Sequence, residues 1–526
     1  MRSYPQYING ADRTGTGWTY TADADAFLAD PRAVFRRKRR LERATSPADT
    51  ALPTGEDARG ITGRVALSAP EDIEDALAAA HRAREPWAAI GLDTRIELLN
   101  RTHRVLGEHR DELLDILMSE GHPRRLASWE IDGMLTGSGP EITSYYRAQA
   151  HQHFHTADHT ITLIRKPDGV VCLSPPQNAS TSNSALGIGA LAAGNTLVVK
   201  APRTSPLGVA YLYRDLIAPI LDALGAPPGT LNIVSGPTQP ILRQWIASPH
   251  VNDIMYFGDS DTGLQLGAQA TAHGKKPILE LAGNDGVVIW HDADLDRATH
   301  AIAECFYGSG QICMVPKYAI AHPAIADRLI DKLIRHCATL RPGYAADPGT
   351  LLTPVLKIDR FYETLTHARA NGCGLLCGGQ RVDIDGSPSA TGPFLEPTLL
   401  RVPGLRHATT IPAVTEETFY PLMPVIVPGP DDAAPDLLSA VISFLNDNPY
   451  GLRNSLWTSD PGIIETFTQR TTNAGHLKIN TSHIAFSPYL STHGGTGRTG
   501  GPHGQLNYPH LSTTHLQGIT QAHAVV

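Results

Sequence analysis

Hydrophobic positions recur with the period of a helix up to about residue 150 and then fall into short runs between helical stretches. Ile73, Ala76, Leu77 and Ala80 stand three or four positions apart, which predicts an amphipathic helix. After Ile161 the apolar runs are short and strand-like: 169–173, 196–199, 231–234 and 254–257. Strands that alternate with helices predict a parallel sheet with right-handed crossovers.

The second half of the chain repeats this alternation. Strands are predicted at 278–281, 287–290 and 318–321, with helices from Leu295 and around 325–334. We therefore expect two α/β domains, with the chemistry where strand ends of both meet. Pro219 lies inside a helical stretch that follows Pro206, and we expect it to kink or end that helix.

Residues 30–56 interrupt the pattern with a basic cluster followed by Ser, Pro and Thr. The cluster comprises Arg32, Arg36, Arg37, Lys38, Arg39, Arg40 and Arg43. It predicts a solvated surface insertion with a short basic helix, and the alternative is a docking site for an acidic partner.

Composition narrows the function classes. The chain has 526 residues and a formal net charge of −8, so we expect two or three domains and no affinity for nucleic acid. No run of eighteen apolar residues predicts a membrane span, and the N-terminus lacks the apolar core of a secretory signal. The six cysteines form no CxxC pair, so we expect no disulfide framework and no metal site, and a cytoplasmic location.

Three residues are candidates for catalysis. Cys313 follows small residues in GSGQIC, which allow close approach to a nucleophilic thiol; a buried structural cysteine is the alternative. Glu280 lies in the apolar segment PILELAG, where burial raises the pKa of a carboxyl group towards that of a general base; a buried ion pair is the alternative. Asn178 follows two prolines and can donate to an oxyanion, although asparagine beside proline also suits a turn.

A strand that ends at Tyr256 and Phe257 runs into a turn and a helix. Such a turn can hold a pyrophosphate at the helix N-terminus. Asp259 or Ser260 can equally cap the helix, so this segment alone decides nothing.

Taken in order and spacing, eight segments resemble the aldehyde dehydrogenase superfamily over about residues 60–505. The segments are PQN at 176–178, GNTLVVK at 194–200, the turn at 257–263, LELAG at 279–283, GQIC at 310–313, EETF at 416–419, NPYGL at 448–452 and GGTGRTG at 494–500. The resemblance implies an α/β fold with a Rossmann-type cofactor domain, an α/β catalytic domain and a β oligomerisation arm. The expected division is 1–147 with 163–278 for the cofactor domain (25–60 inserted), 279–474 for the catalytic domain, and 148–162 with 475–526 for the arm.

The resemblance also implies roles. Cys313 attacks the aldehyde, Asn178 and the Cys313 N–H hold the oxyanion, and Glu280 activates the water that releases the acid. The implied cofactor is NADP or NAD, bound by Pro176, Lys200, Arg203, Gly258, Ser260, Glu417 and Phe419.

Several positions depart from the family pattern. Arg203 stands where NAD-preferring members usually carry an acid, so we expect NADP to be accepted and even preferred; a solvent-facing Arg203 is the alternative. Asp259 replaces a common Ser near the phosphates, and it caps the helix, pairs with a cation such as Arg203, or weakens cofactor binding. Gln177, Asn284 and Gly308 also mark an outlying member.

The side chains that line the implied substrate tunnel are smaller and more polar than in many members, so we expect a roomier tunnel that can form hydrogen bonds. This favours a polar or functionalised aldehyde. The expected lining of the tunnel is Ala179, Ser182, Asn183, Leu186, Ile312, Met314, His483, Phe486 and His493.

Glu280 favours hydrolysis to a free acid over the alternative of an acyl-CoA or thioester reductase. The other alternative is a non-catalytic protein that retains the fold.

The resemblance implies a homodimer or homotetramer, bridged by a hairpin near 148–162 and the C-terminal strand. Thr160–Ile164 has the alternation that an arm strand requires.

Overall fold

Two seven-stranded sheets, each covered by helices, form the body of the molecule in a computed structural model that describes residues 1–432 and 436–523. The helices of the described ranges fall mostly between consecutive strands, as the periodicity predicts. They are Ala24–Ala29, Pro31–Ala44, Pro70–Ala89, Leu92–Glu108, Arg110–Ser119, Arg124–Ser138, Pro140–Ala150, Ser180–Ser184, Leu186–Ala193, Leu207–Ala210, Ala218–Ala223, Thr238–Ala247, Ser260–Ala272, Leu295–Ala303, Ala326–Cys337, Ile358–Ala370, Leu405–Ala408, Pro412–Thr415, Leu437–Asn446, Pro461–Arg470 and Pro509–Ser512.

The first sheet is parallel except at one edge. Its strands are, in spatial order, Lys276–Glu280, Asp253–Phe257, Val170–Ser174, Thr196–Ala201, Leu231–Ser235, Gln6–Ile8 and Ala11–Arg13. The last two are antiparallel additions from the N-terminus. The predicted parallel α/β arrangement is confirmed, and every strand predicted between 169 and 281 lies in this sheet.

The second sheet is built the same way. Its spatial order is Gly374–Cys377, Thr398–Pro403, Leu422–Val427, Pro316–Ala321, Asp285–Ile289, Arg453–Trp457 and His476–Ile479, and only the first strand runs antiparallel to its neighbour. Lys276–Glu280 and Asp285–Ile289 are consecutive strands of different sheets, so the short connection between them places the two sheets side by side. Glu280 lies at this junction.

A third sheet is antiparallel and joins a C-terminal strand to the hairpin region near 148–162. Strand Thr514–Ala522 pairs with His159–Pro167, which pairs with His151–His155. The alternation at Thr160–Ile164 is therefore part of a longer strand. The strands at both edges of this sheet are exposed, and they carry the exposed apolar side chains of Phe154, Leu516 and Ile519.

Smaller sheets complete the fold. Arg2–Tyr4, Ile61–Leu67 and Gly17–Ala22 form a three-stranded sheet, and pairs join Arg381–Val382 with Phe394–Leu395, Tyr450–Gly451 with Thr496–Gly497, and His493–Gly494 with Leu506–Asn507. The last pair brings the C-terminal loops next to the edge of the first sheet.

Pro219 neither ends nor breaks its helix. The segment Tyr211–Ile217 forms a π-helical stretch, and Ala218–Ala223 continues as α-helix with Pro219 in its first turn. Proline has no amide hydrogen to donate, and the wider turn before Pro219 does not require one at this position. The helix therefore continues past Pro219.

The basic segment forms the helix Pro31–Ala44, which is not fully solvated. Val34 and Leu41 are buried, while Phe35 remains exposed below the guanidinium of Arg39. Arg40 pairs with Asp57, so part of the basic charge is neutralised within the same segment.

No helix within residues 1–432 and 436–523 is long and apolar enough to span a membrane. In the same described ranges, no group of three or more His, Cys, Asp or Glu side chains has the arrangement of a metal site.

Candidate active site

One cavity of about 800 Å³ lies where the ends of the first-sheet strands face the second sheet. Cys313, Glu280 and Asn178 all line it. The fold therefore brings together, around one cavity, three candidate residues that lie far apart in the sequence.

The loop before Cys313 is held in an unusual conformation. Gly308, Ser309 and Gly310 all have positive φ, at 56°, 55° and 74°. Ser309 adopts this strained region because its hydroxyl donates to the Thr353 carbonyl at 2.7 Å and accepts from the Thr353 amide at 2.8 Å. The loop is thus anchored at its middle, and Cys313 follows it into the cavity.

The Cys313 thiol is half-buried, and burial is the main cause that raises its pKa to about 12. Nearby carboxylates of Glu417, Asp285 and Glu280 raise this pKa further, whereas Lys317 lowers it. The free thiol is therefore neutral near pH 7, and attack on an electrophile requires a proton acceptor or added positive charge.

Asn178 is oriented by the same loop. Its side-chain nitrogen donates to the Gln311 carbonyl at 2.8 Å, two residues before Cys313. Gly283 packs from the other side, where a Cβ would lie 2.1 Å from the Cys313 carbonyl oxygen. Both contacts fix the backbone of Cys313 relative to the amide of Asn178.

Glu280 ends the edge strand of the first sheet and is 5% exposed. Burial raises its pKa to about 7, against the opposing effect of hydrogen bonds from Asn507 and the Gly494 amide. A carboxyl group with this pKa can take up and release a proton near neutral pH.

The expected cofactor residues divide into two groups. Pro176, Lys200, Gly258, Glu417 and Phe419 line the cavity. The Ser260 hydroxyl donates instead to the Arg498 carbonyl at 2.8 Å, and Arg203 is exposed outside the cavity lining.

Lys200 and Glu417 are the charged members of the lining group. Lys200 is 2% exposed, and burial lowers its pKa to about 8. Glu417 accepts a hydrogen bond from the Gly283 amide at 3.0 Å, and burial raises its pKa. An amino group and a carboxyl group that line one cavity suit the phosphate and ribose groups of a dinucleotide.

Asp259 caps the helix Ser260–Ala272, where its carboxylate accepts from the Thr262 amide at 2.9 Å. The capping alternative is therefore the one that the structure shows.

The Thr204 hydroxyl donates to the Gln177 side chain at 2.6 Å, so Gln177 braces the loop that follows Lys200.

The predicted substrate residues Ala179, Ser182, Asn183, Met314 and His493 line the cavity, as do Leu186, Ile312 and Phe486. His493 donates to or accepts from Thr492 at 2.6 Å, and burial lowers its pKa to about 3, so the ring is neutral.

The expectation for His483 is wrong. Its ring lies outside the cavity, fully buried, between Ser455 at 2.6 Å and Asp285 at 3.3 Å. Ser455 belongs to the strand Arg453–Trp457, so this hydrogen bond holds the ring against the second sheet, a contact that local spacing did not reveal.

Residues that sequence reasoning missed also line the cavity. Trp129 stacks on Phe486 at a ring separation of 5.1 Å, and Glu130 accepts a hydrogen bond from Ser182 at 2.8 Å. The cavity also extends between helices into an apolar region lined by Leu99, Leu106, Met134, Ile142, Tyr146 and Ile188. Helical periodicity marks all of these as core positions, so no local signal distinguishes them.

Comparison with known proteins gives a consistent result. A family model described as "Aldehyde dehydrogenase family" matches residues 49–516. A chloroplastic betaine aldehyde dehydrogenase from Beta vulgaris is 28% identical over 85% of this chain and 89% of its own length. An NADP⁺ succinate-semialdehyde dehydrogenase from Escherichia coli is 27% identical over 85% of this chain and 90% of its own.

Solved structures share the fold. The crystal structure of an NAD-dependent aldehyde dehydrogenase from Sinorhizobium meliloti superposes with a TM-score of 0.81, covering 99% of this chain and 95% of the other, at 20% identity. The expected α/β architecture is thereby confirmed for nearly the whole chain.

Proposed function

Since the chain belongs to the aldehyde dehydrogenase family, we propose that it oxidises a polar or functionalised aldehyde to the carboxylic acid with NADP or NAD, and that Cys313, Asn178 and Glu280 carry out the reaction. The observation that supports these roles most strongly is the convergence of the three side chains on one cavity that Lys200 and Glu417 also line. Fold likeness alone would not predict such a constellation.

Cys313 is the proposed nucleophile. Once the thiol has lost its proton to water, the thiolate adds to the aldehyde carbon and gives a thiohemiacetal. The Asn178 side chain donates one N–H to the Gln311 carbonyl. Its second N–H can donate to the substrate oxygen that becomes negative.

When bound, NAD(P)⁺ supplies the hydride acceptor that allows the thiohemiacetal to become a thioester. The buried Lys200 ammonium and the Glu417 carboxylate would hold its polar groups, and Phe419 would flank the ring. Arg203, at the exposed edge near Thr204, would bind a 2′-phosphate if NADP is the preferred form.

Glu280 is the proposed base for release of the acid. With a pKa near 7, its carboxylate can remove a proton from the water that attacks the thioester carbon. The C–S bond then breaks, and the Cys313 sulfur recovers its proton.

Ser182, Asn183, Glu130 and His493 support the preference for a polar aldehyde, because they place hydrogen-bonding groups along the cavity. The exposed arm supports a homodimer or homotetramer, since Phe154, Leu516 and Ile519 would be covered by a second subunit. The six free cysteines of the described ranges fit the proposed cytoplasmic location.

The test is a panel of aldehydes assayed with both NAD and NADP, with identification of the product. We expect a free acid, and higher kcat/KM for polar aldehydes than for medium-chain alkanals. Turnover of an acyl-CoA with NADPH to an aldehyde would replace the proposal with the reductase alternative. Absence of turnover, with no mass shift on Cys313 from an aldehyde-like electrophile, would favour the non-catalytic alternative.

A further inference from the structure

A buried lysine contacts two loops of the proposed active site. Lys317 is 1% exposed, in the strand Pro316–Ala321 of the second sheet. Its Nζ donates two hydrogen bonds, to the carbonyl oxygens of Gly310 and Thr418, both at 2.8 Å. A buried ammonium is costly, and a leucine or methionine would fill the same space at lower cost, so the charge requires an explanation.

The two carbonyl groups belong to the two loops that carry the chemistry. Gly310 stands three residues before Cys313, and Thr418 stands between Glu417 and Phe419. These loops also touch directly, because a Cβ at Gly310 would lie 2.5 Å from the Tyr420 carbonyl oxygen. Lys317 thus links the loop of the nucleophile to the loop proposed to hold the cofactor.

The Phe419 ring lies over the same ammonium group. Its centroid is 5.3 Å from Lys317 Nζ, a distance at which a cation is attracted to an aromatic face. Because Phe419 lines the cavity, a displacement of Lys317 would change the position of a cavity wall as well as the backbone.

Electrostatics gives Lys317 a second effect. The charges of Glu417, Asp285 and Glu280 raise the pKa of Cys313 in addition to burial, and the charge of Lys317 lowers it. Burial lowers the pKa of Lys317 itself, whereas Glu417, Cys313 and Asp285 raise it, so the lysine and the thiol favour each other's charged form.

We propose that Lys317 is a positioning residue for the nucleophile, which ties the Cys313 loop to the Glu417–Phe419 loop and favours the Cys313 thiolate through its positive charge. The inference rests on the proposed function, in which Cys313 attacks the substrate.

The test compares Lys317→Met, which removes the charge and both hydrogen bonds, with Lys317→Arg, which keeps the charge. The rate of iodoacetamide alkylation at Cys313 is measured by peptide mass between pH 6 and pH 11. We expect the alkylation rate of Lys317→Met to be at least tenfold below that of the wild type at pH 8, and that of Lys317→Arg to stay within threefold. Cys377, half-buried at the far edge of the second sheet, is the internal control.

Lys478→Met is the matched variant. Lys478 is 4% exposed and also donates to a carbonyl group, that of Ala485 at 2.9 Å, but it does not contact the Cys313 loop. We expect its alkylation profile to follow that of the wild type. Lys317→Gln, which keeps amide donors without the charge, is predicted to show the same slow alkylation and is the variant to use if Lys317→Met does not fold.

A second measurement tests the link between the loops. Titration of cofactor by fluorescence should give a higher Kd for Lys317→Met than for Lys317→Arg. Wild-type alkylation in folded Lys317→Met or Lys317→Gln would overturn the proposal. Failure of the proposed function would give a different result. Full dehydrogenase activity in Cys313→Ser would refute Cys313 as the nucleophile, whereas the effect of Lys317 on the thiol could still be measured by alkylation.

Discussion

The side-chain amide of Asn507 donates a 2.5 Å hydrogen bond to Oε1 of Glu280. The Gly494 amide donates to Oε2 at 3.0 Å, so both carboxylate oxygens are held by the pair of strands His493–Gly494 and Leu506–Asn507. The proposed base is therefore oriented by the C-terminal part of the chain, although it belongs to the first sheet.

Replacing Asn507 should raise the pKa of Glu280. A hydrogen bond to a charged group contributes about 1.5–3 kcal/mol, which corresponds to a pKa change of about one to two units. In Asn507→Leu the acidic limb of the kcat–pH profile should move to higher pH by that amount. Asn507→Gln, which can restore a donor, is the control, and an unchanged acidic limb in Asn507→Leu would contradict the assignment.

Glu280→Gln should separate acylation from hydrolysis. Cys313 remains able to form the thioester, but the water that releases the acid lacks its base. Rapid mixing should show a burst of about one NAD(P)H per subunit followed by turnover reduced by about 10²–10⁴-fold. Cys313→Ser should show no burst. Steady-state turnover at the wild-type rate in Glu280→Gln would refute the role.

Stability should also depend on Glu280. Burial raises its folded-state pKa from 4.5 to about 7, so the folded protein binds this proton more tightly than the unfolded chain. The favourable contribution is fully present below about pH 4.5 and is lost as the pH rises through 7, by up to about 3 kcal/mol. Thermal unfolding should therefore show a smaller fall in Tm between pH 5 and pH 8 for Glu280→Gln than for the wild type. Glu416→Gln, at an exposed carboxylate, should follow the wild type. Equal falls in Tm for all three proteins would be the contrary result.

The cavity wall should be sensitive to one methyl group at Gly133. A Cβ there would lie 2.5 Å from Phe486, whose ring stacks on Trp129. We expect Gly133→Ala to change kcat/KM by about tenfold and to alter the order of preferred aldehydes. Gly137→Ala lies one turn further along the same helix with no atom within 4 Å of the added Cβ, so its activity should be close to that of the wild type. Similar kinetics for both variants would argue that Phe486 is not part of the substrate wall.

Cofactor preference provides a test of Arg203. A guanidinium beside a 2′-phosphate contributes a charge-assisted hydrogen bond that NAD cannot form. Arg203→Ala should raise KM for NADP by about tenfold and leave KM for NAD unchanged. If wild-type kcat/KM for NAD exceeds that for NADP by tenfold or more, the expected preference is wrong and Arg203 faces solvent.

Local sequence was enough to predict the strands of the first sheet and to mark Glu280 and Cys313 as candidates. Apolar runs such as 254–257 predicted first-sheet strands, because a strand buried on both faces needs uninterrupted apolar side chains. Glu280 was identified because a carboxylate in an apolar strand is costly wherever that strand lies. Cys313 was identified because small residues before it permit close approach. Neighbours in the chain mark these two residues as candidates, whereas their roles as base and nucleophile are implied by the resemblance and stay a proposal.

Contacts between distant segments were decided by the tertiary structure alone. Asn507 and Glu280 are 227 residues apart, and Lys317 and Thr418 are 101 residues apart. Asp259 caps a helix and His483 lies in the core. Both outcomes depend on which strands pair and in which register. The sequence by itself therefore predicted the strands of the α/β fold and supplied the candidate residues. The tertiary structure determined what holds and charges those residues, since a hydrogen bond or a buried charge depends on neighbours that only the folded chain brings within a few ångströms.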